Sequence, residues 1–320
     1  MVLLTLRWRI VLAFLSIYLI WGSTYLAIRF AIQTLPPFLM AAVRFLGAGG
    51  ALYGWTRLRG ASRPTSANWK AATIAGGLFF LVNHGAVVNA ERVVPSGLTA
   101  VIITTVPLWI ALFELVQKER VVPATQTVLG IVLGFGGVAV LVGPGNILSS
   151  GGVNIFWAGI LVVGTFAWAL GSVYSRKASL PKEPLLGSGM EMLAGGALLL
   201  IASLASQEWT SFTPGNVSTL SIVSLLYLII FGSVIAFSSY AWLLTKTTTA
   251  KATTYAYVNP VVAVLIGYFL GGEPLTLRTL IALSLIVFAV VVINSHKDNT
   301  GSKKFNGQSD VPARPSLSLP

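Results

Sequence analysis

The chain has no cysteine among its 320 residues, only two histidines, and nine acidic residues against 21 lysines and arginines. Without cysteine there is no disulfide, no thiolate nucleophile and no cysteine-ligated metal. One histidine, His296, lies near the C-terminus, and no HExxH pattern or cluster of acids accompanies the other, so no metal site or cofactor is expected. No glycine-rich stretch is followed by GKS or GKT, which removes nucleotide-driven chemistry. Charge is also scarce, at 9% of residues where a soluble protein carries about 25%.

What fills the space is apolar side chain, 55% of the sequence. One soluble core cannot hide so much, and the chain reads as an all-α integral membrane protein. Ten hydrophobic runs follow one another with short connections: 10–32, 37–58, 71–90, 95–116, 125–142, 156–174, 185–205, 219–243, 252–270 and 275–293. The net charge of +12 first suggests nucleic acid, but its distribution answers differently. With a cytoplasmic N-terminus, 17 of the 21 basic residues fall in cytoplasmic segments and three outside, with Arg44 inside a span. That is the positive-inside pattern of ten helices with both termini in the cytoplasm. The bilayer, not nucleic acid, is the expected partner. Arg7 and Arg9 before the first run resemble a signal peptide, but the run is too long and no small-x-small site closes it. From His296 the sequence turns polar and is expected to be a disordered tail, 296–320.

The sequence repeats itself. Pro107 and Pro260 stand 153 positions apart, each inside an apolar run with hydroxyl residues beside it. YLIWGSTY at 18–25 resembles FAWALGSVY at 166–174, and PFLMAAVRFL at 37–46 resembles PLLGSGMEML at 184–193. The units are 1–148 and 149–295. Five spans per unit is odd, so the second copy enters the membrane from the opposite side. The expected fold is two inverted five-helix repeats around a central cavity, with solute sites near the midplane.

IWGSTYLAIR at 20–29, PPFLMAAVRFL at 36–46, VPSGLTAVIITTVPLW at 94–109 and ATTYAYVNPVVAVLIGYFLGGEPL at 252–275 together resemble the drug/metabolite transporter superfamily, in its ten-helix branch of paired EamA-type domains. The resemblance covers about residues 10–294. It implies a helical basket opening to alternate sides of a bacterial inner membrane, and export of small organic molecules. Small multidrug members carry a glutamate in the first helix for proton coupling. No acid lies in 10–32 or 156–174 here, so that position offers no support for protons as the coupling ion.

Candidate cavity residues are Trp21, His84, Thr104, Trp168, Tyr240, Thr253, Tyr257 and Asn259. Hydroxyls also glue membrane helices together, and a lone histidine in a bundle often bonds a neighbouring helix. Pro107 and Pro260 remove backbone hydrogen bonds in mid-membrane and are candidate hinges. Arg44 and Glu191 are ionisable groups inside spans and match across the repeat. Each enters from the opposite side by roughly 10 Å, leaving them about 10 Å apart in depth. A direct pair, separate anchoring and a solute role all stay open. Glu119 and Glu273 read as caps for the helix that follows each. Arg29 reads as closing the outer mouth or pairing with Glu91. Glycines 47, 49, 50, 195 and 196 read as close helix contacts. The leading function is a secondary transporter of amino-acid-like or drug-like solutes. A passive channel and a membrane enzyme are the alternatives, and monomer and homodimer both fit.

Overall fold

The computed structural model describes residues 6–117, 125–142, 155–246 and 255–305, and every regular element among them is helical. The helices are α1 (Leu6–Ala31), α2 (Pro37–Leu58), α3 (Ser66–Ala90), α4 (Ser96–Ile103), α5 (Val106–Gln117), α6 (Thr125–Val142), α7 (Ile155–Ser175), α8 (Pro184–Ala205), α9 (219–246), α10 (Tyr255–Gly271) and α11 (Leu277–Phe305). Starts follow local chemistry. Proline opens α2 and α8, where its missing N–H costs nothing. A capping box opens α3, Thr65 accepting from the Asn68 N–H and Asn68 accepting from the Thr65 N–H.

Six helices, α1, α2, α3, α7, α8 and α9, are long and apolar enough to cross a membrane. Shorter apolar helices cover 96–110, 128–140, 258–271 and 277–289. The outward faces carry Val132, Phe269 and Leu270, each more than 60% exposed, a surface suited to lipid rather than water. Inside, Phe45, Phe80, Met40, Met192 and Leu199 are fully buried.

α2 and α8 run against each other at the centre of the molecule, and glycine permits it. A Cβ added at Gly49 would lie 2.8 Å from the Leu193 N, one at Gly189 2.9 Å from the Tyr53 N, and one at Gly196 2.9 Å from the Leu46 N. Backbones this close admit no side chain. On either side, α1 packs on α10 and α6 on α11.

Three irregularities interrupt the spans. α4 and α5 are separated by a two-residue break at Thr104 and Thr105, just ahead of Pro107. Pro260, by contrast, lies inside the continuous α10. Both α3 and α9 carry a π-helical stretch, Gly77–His84 and Leu228–Ile235, whose starts are 151 positions apart. α11 continues through Phe305, ten residues into the stretch read as an unstructured tail. An existing helix elongates at little cost even through polar sequence. Residues 306–320 lie outside the described part.

Candidate functional site

Two groups of aromatic and polar side chains lie against the π stretches. Trp21 of α1 donates from Nε1 to the Gly232 carbonyl at 3.0 Å, inside the second π stretch. Its ring meets Tyr240 of α9 at 5.4 Å and Tyr255 of α10 at 5.0 Å between centroids. Tyr240 and Tyr255 meet each other at 5.7 Å. Asn259 is buried below them, its amide nitrogen placed to donate to the Tyr18 and Tyr255 carbonyls at 3.2 Å each. The two aromatic candidates here, Trp21 and Tyr240, are thus brought into ring contact, and Asn259 supports the same group from α10.

A second group forms at the end of the first π stretch. His84 sits against Phe45 of α2 at 4.8 Å and Trp168 of α7 at 5.9 Å, with its Nδ1 3.2 Å from the Phe79 carbonyl. Phe79 meets Trp168 at 4.8 Å between ring centroids, tilted by 54°. His84 and Trp168, far apart in sequence, are neighbours. Between the groups lies Arg44, whose Nε donates to Ser233 at 3.0 Å while the guanidinium covers the Phe45 ring at 4.8 Å. Its Nη1 has no hydrogen-bond partner among the described residues. Glu191 does not meet Arg44. It accepts from Ser175 of α7 at 3.2 Å, and the two matched charges serve different contacts.

The break between α4 and α5 is held by hydroxyls. Thr104 donates to the Ala100 carbonyl at 2.9 Å, so its hydroxyl closes the end of α4. Thr105 donates to Ile102, and Thr165 of α7 accepts from the Trp109 Nε1 at 2.9 Å. Pro107 therefore lies in the first turn of α5, where a proline is cheap, and the freed carbonyls are those just before it. Thr253, Thr254, Glu119 and the side chain of Tyr257 lie outside the described residues.

Where α1, α3 and α10 end together, three carboxylates divide the work. Glu273 accepts from the Ser96 N–H at 2.7 Å, the Ser96 hydroxyl at 2.6 Å and the Gly97 N–H at 2.9 Å, and pairs with Arg29. It caps α4 across the fold and not the helix that follows it, which corrects the reading from sequence position. Gly97 and Gly267 leave the room: a Cβ on Gly267 would lie 2.6 Å from the Glu273 Oε2. Glu208 does the same for α2, accepting from the Phe38 and Leu39 N–H groups at 3.0 and 2.9 Å. Glu91, one residue beyond α3, is buried with neither oxygen hydrogen-bonded among the described residues. Burial, then the nearby Glu273 charge, push its carboxyl well above the ordinary range, against the pull of Arg29 and Arg44. Arg29 is therefore committed to Glu273, not to Glu91.

A cleft of about 330 Å³ opens between the start of α1 and α9 and is lined by Arg9, Leu12, Ala13, Ser16, Ser239 and Trp242.

A family model for the EamA-like transporter family matches residues 8–143 and again 155–295. The chain belongs to the EamA-like transporter family. An uncharacterized inner membrane transporter of Escherichia coli K12, YedA, is 40% identical over 286 residues, 89% of this chain and 90% of that one. A WAT1-related chloroplastic protein of Arabidopsis thaliana is 26% identical over 92% of this chain and 70% of its own length. A solved crystal structure superposes with a TM-score of 0.62 at 20% identity, covering 92% of this chain and 99% of that one, which shows a shared fold. An EamA-type protein is a multi-pass membrane transporter and not an enzyme. Sequence reasoning missed the cap made by Glu208, assigned Glu273 to the wrong helix, and considered Glu91 only as a partner for Arg29. The signal for Glu91 was present: a lone acid flush against an apolar span, with the proline of the next helix four residues on.

Proposed function

We propose that this chain is a secondary transporter of the bacterial inner membrane that exports small amphipathic organic solutes by alternating access. The reading has ten spans, two inverted five-helix halves and both termini in the cytoplasm. It rests above all on the pair of π-helical stretches, one in each half, each with an aromatic and polar group against it: His84 and Phe79 in the first, and Trp21 bonded to the Gly232 carbonyl of the second. π segments recur at functional positions because they shift the helix register and free backbone groups. Placing one at matching positions of both halves suits a solute path between them.

The lining suits the solute class. Trp21, Tyr240, Trp168 and His84 offer flat faces and few charges, fitting hydrophobic amino acids, purine-like compounds or drug-like molecules, and fitting multiply charged phosphates poorly. Pro107 and Pro260 serve as the yielding points of the two lining helices. The Arg29–Glu273 pair, which ties α1 to α4 and to the end of α10, serves as the latch of the outer mouth. Protons are the candidate coupling ion.

The test is counterflow in proteoliposomes with labelled phenylalanine, leucine and guanine, followed by accumulation under an imposed pH gradient. Uphill accumulation of at least one is expected. Downhill flux alone would make the protein a channel, and no flux from this panel would count against the solute class. Trp168→Ala should raise KM by up to about tenfold for the transported aromatic solute, the worth of one ring contact.

A further inference from the structure

The other buried acids whose side chains are described are all supplied with donors. Glu273 has two backbone N–H groups, a hydroxyl and a guanidinium; Glu191 has a serine. Glu91 is as buried, at 2% exposure, and has none. The groups that face it come from every side. α1 brings Tyr25 and Arg29, α2 brings Arg44, and the turn after α10 brings Glu273. α7 also packs on this end of α3, and contains no titratable residue from Ile155 to Val173. Arg29 pairs with Glu273, and Arg44 gives its Nε to Ser233 and keeps an unpartnered Nη1, but neither donates a hydrogen bond to Glu91. An ionised carboxylate in such a place has lost its water and gained no donor, a state that buried acids avoid by holding a proton. At this exposure there is no room for a solute ammonium group, while a proton needs none.

We propose that Glu91 is a proton-binding group of this protein, the carboxyl whose charge sets the Arg29–Glu273 latch. The latch half rests on the transporter reading above; the proton site does not. In the closed state the carboxyl is neutral and Arg29 stays with Glu273. When the mouth opens, water reaches Glu91 and takes its proton, leaving a carboxylate that competes with Glu273 for Arg29 and holds the latch apart. Return of a proton from water removes the competing charge and lets the latch close. The proton leaves to and returns from the same water, so the step moves no net proton across the membrane.

Infrared difference spectra of the full-length protein in lipid, recorded over a pH series without solute, read the C=O stretch of a protonated carboxylic acid. At neutral pH the wild type should show a band that Glu91→Gln lacks and that Glu91→Asp, which keeps a carboxyl, shows at a shifted position. The same neutral-pH spectrum in wild type and Glu91→Gln would overturn the proposal. If Glu91→Gln does not fold, an Asp variant with an unshifted band overturns it equally. In proteoliposomes, counterflow of labelled phenylalanine or leucine by the wild type should slow as the outer pH is lowered, and Glu91→Gln should keep the wild type's low-pH rate at every pH. A pH dependence equal to wild type would remove the latch role. A Glu91-dependent band in a protein that moves none of these solutes would sink the transporter reading and leave the proton site standing.

Discussion

Glu273 and Glu91 end up close in space, and what separates them is the number of donors each is given. Glu273 completes the first turn of α4 from a distant part of the chain, so its loss strips two helix N–H groups and an arginine of their partner at once. Glu273→Ala should lower stability by about 2–3 kcal/mol, read by thermal unfolding in detergent, with Arg29 discounted because it is partly exposed. Glu91 predicts the opposite behaviour. Its folded carboxyl holds a proton at pH values where the unfolded one, near 4.5, has lost it. The native state then binds more protons than the unfolded state, so stability falls as pH rises above that value, by up to about 1.4 kcal/mol per unit. Glu91→Gln should flatten this decline in a pH series of melting curves between pH 5 and 8. A slope unchanged by the substitution would show that Glu91 is already ionised in the folded protein. Single residues were the least legible level of this sequence. His84 and Trp168 could be singled out by type, as ring and polar groups inside spans, but not as neighbours, because nothing local ties position 84 to 168. Arg44 and Glu191 matched in sequence, yet each found a nearer hydroxyl than the other charge.

Helices were read with more success, since a span declares itself over some twenty apolar residues and its start by a proline or a capping threonine. The boundaries expected for α2 at 37–58 match those observed. Departures from regular helix were only half visible. Proline marked α4–α5 and α10 as special, but the break falls before Pro107 while α10 runs straight through Pro260. The π stretches of α3 and α9 have no composition of their own and could not be read at all; the first packs against α7 and α8 and the second against α1 and α2. Glycines were legible, and their contacts set a prediction. Gly49→Val places a side chain against the α8 backbone, where nothing can move aside, and should cost about 1–3 kcal/mol or more in thermal unfolding. Gly50→Ala, which meets nothing within 4 Å, should not destabilise and should gain up to about 1 kcal/mol from alanine's helix preference. The double variant Pro107→Ala, Pro260→Ala should alter solute turnover more than melting temperature. Unchanged transport kinetics would end the hinge reading.

At the scale of the whole molecule the sequence carried most information in its asymmetries. In the proposed threading, the one-sided placement of lysine and arginine puts both termini in the cytoplasm, and the odd number of spans per copy sets the copies in opposite senses. The ends of α1, α3, α8 and α10 and the starts of α2 and α4 gather at one side, where Glu208 and Glu273 cap across them. The family model matches the chain twice, over 8–143 and 155–295. Because the chain contains no cysteine, opposite insertion can be measured directly with single cysteines at Thr34, after α1, and Ser179, after α7, its counterpart in the second copy. The account predicts that a membrane-impermeant thiol reagent added to intact cells labels Thr34→Cys and spares Ser179→Cys until the membrane is opened. Labelling of both positions from the same side would contradict it.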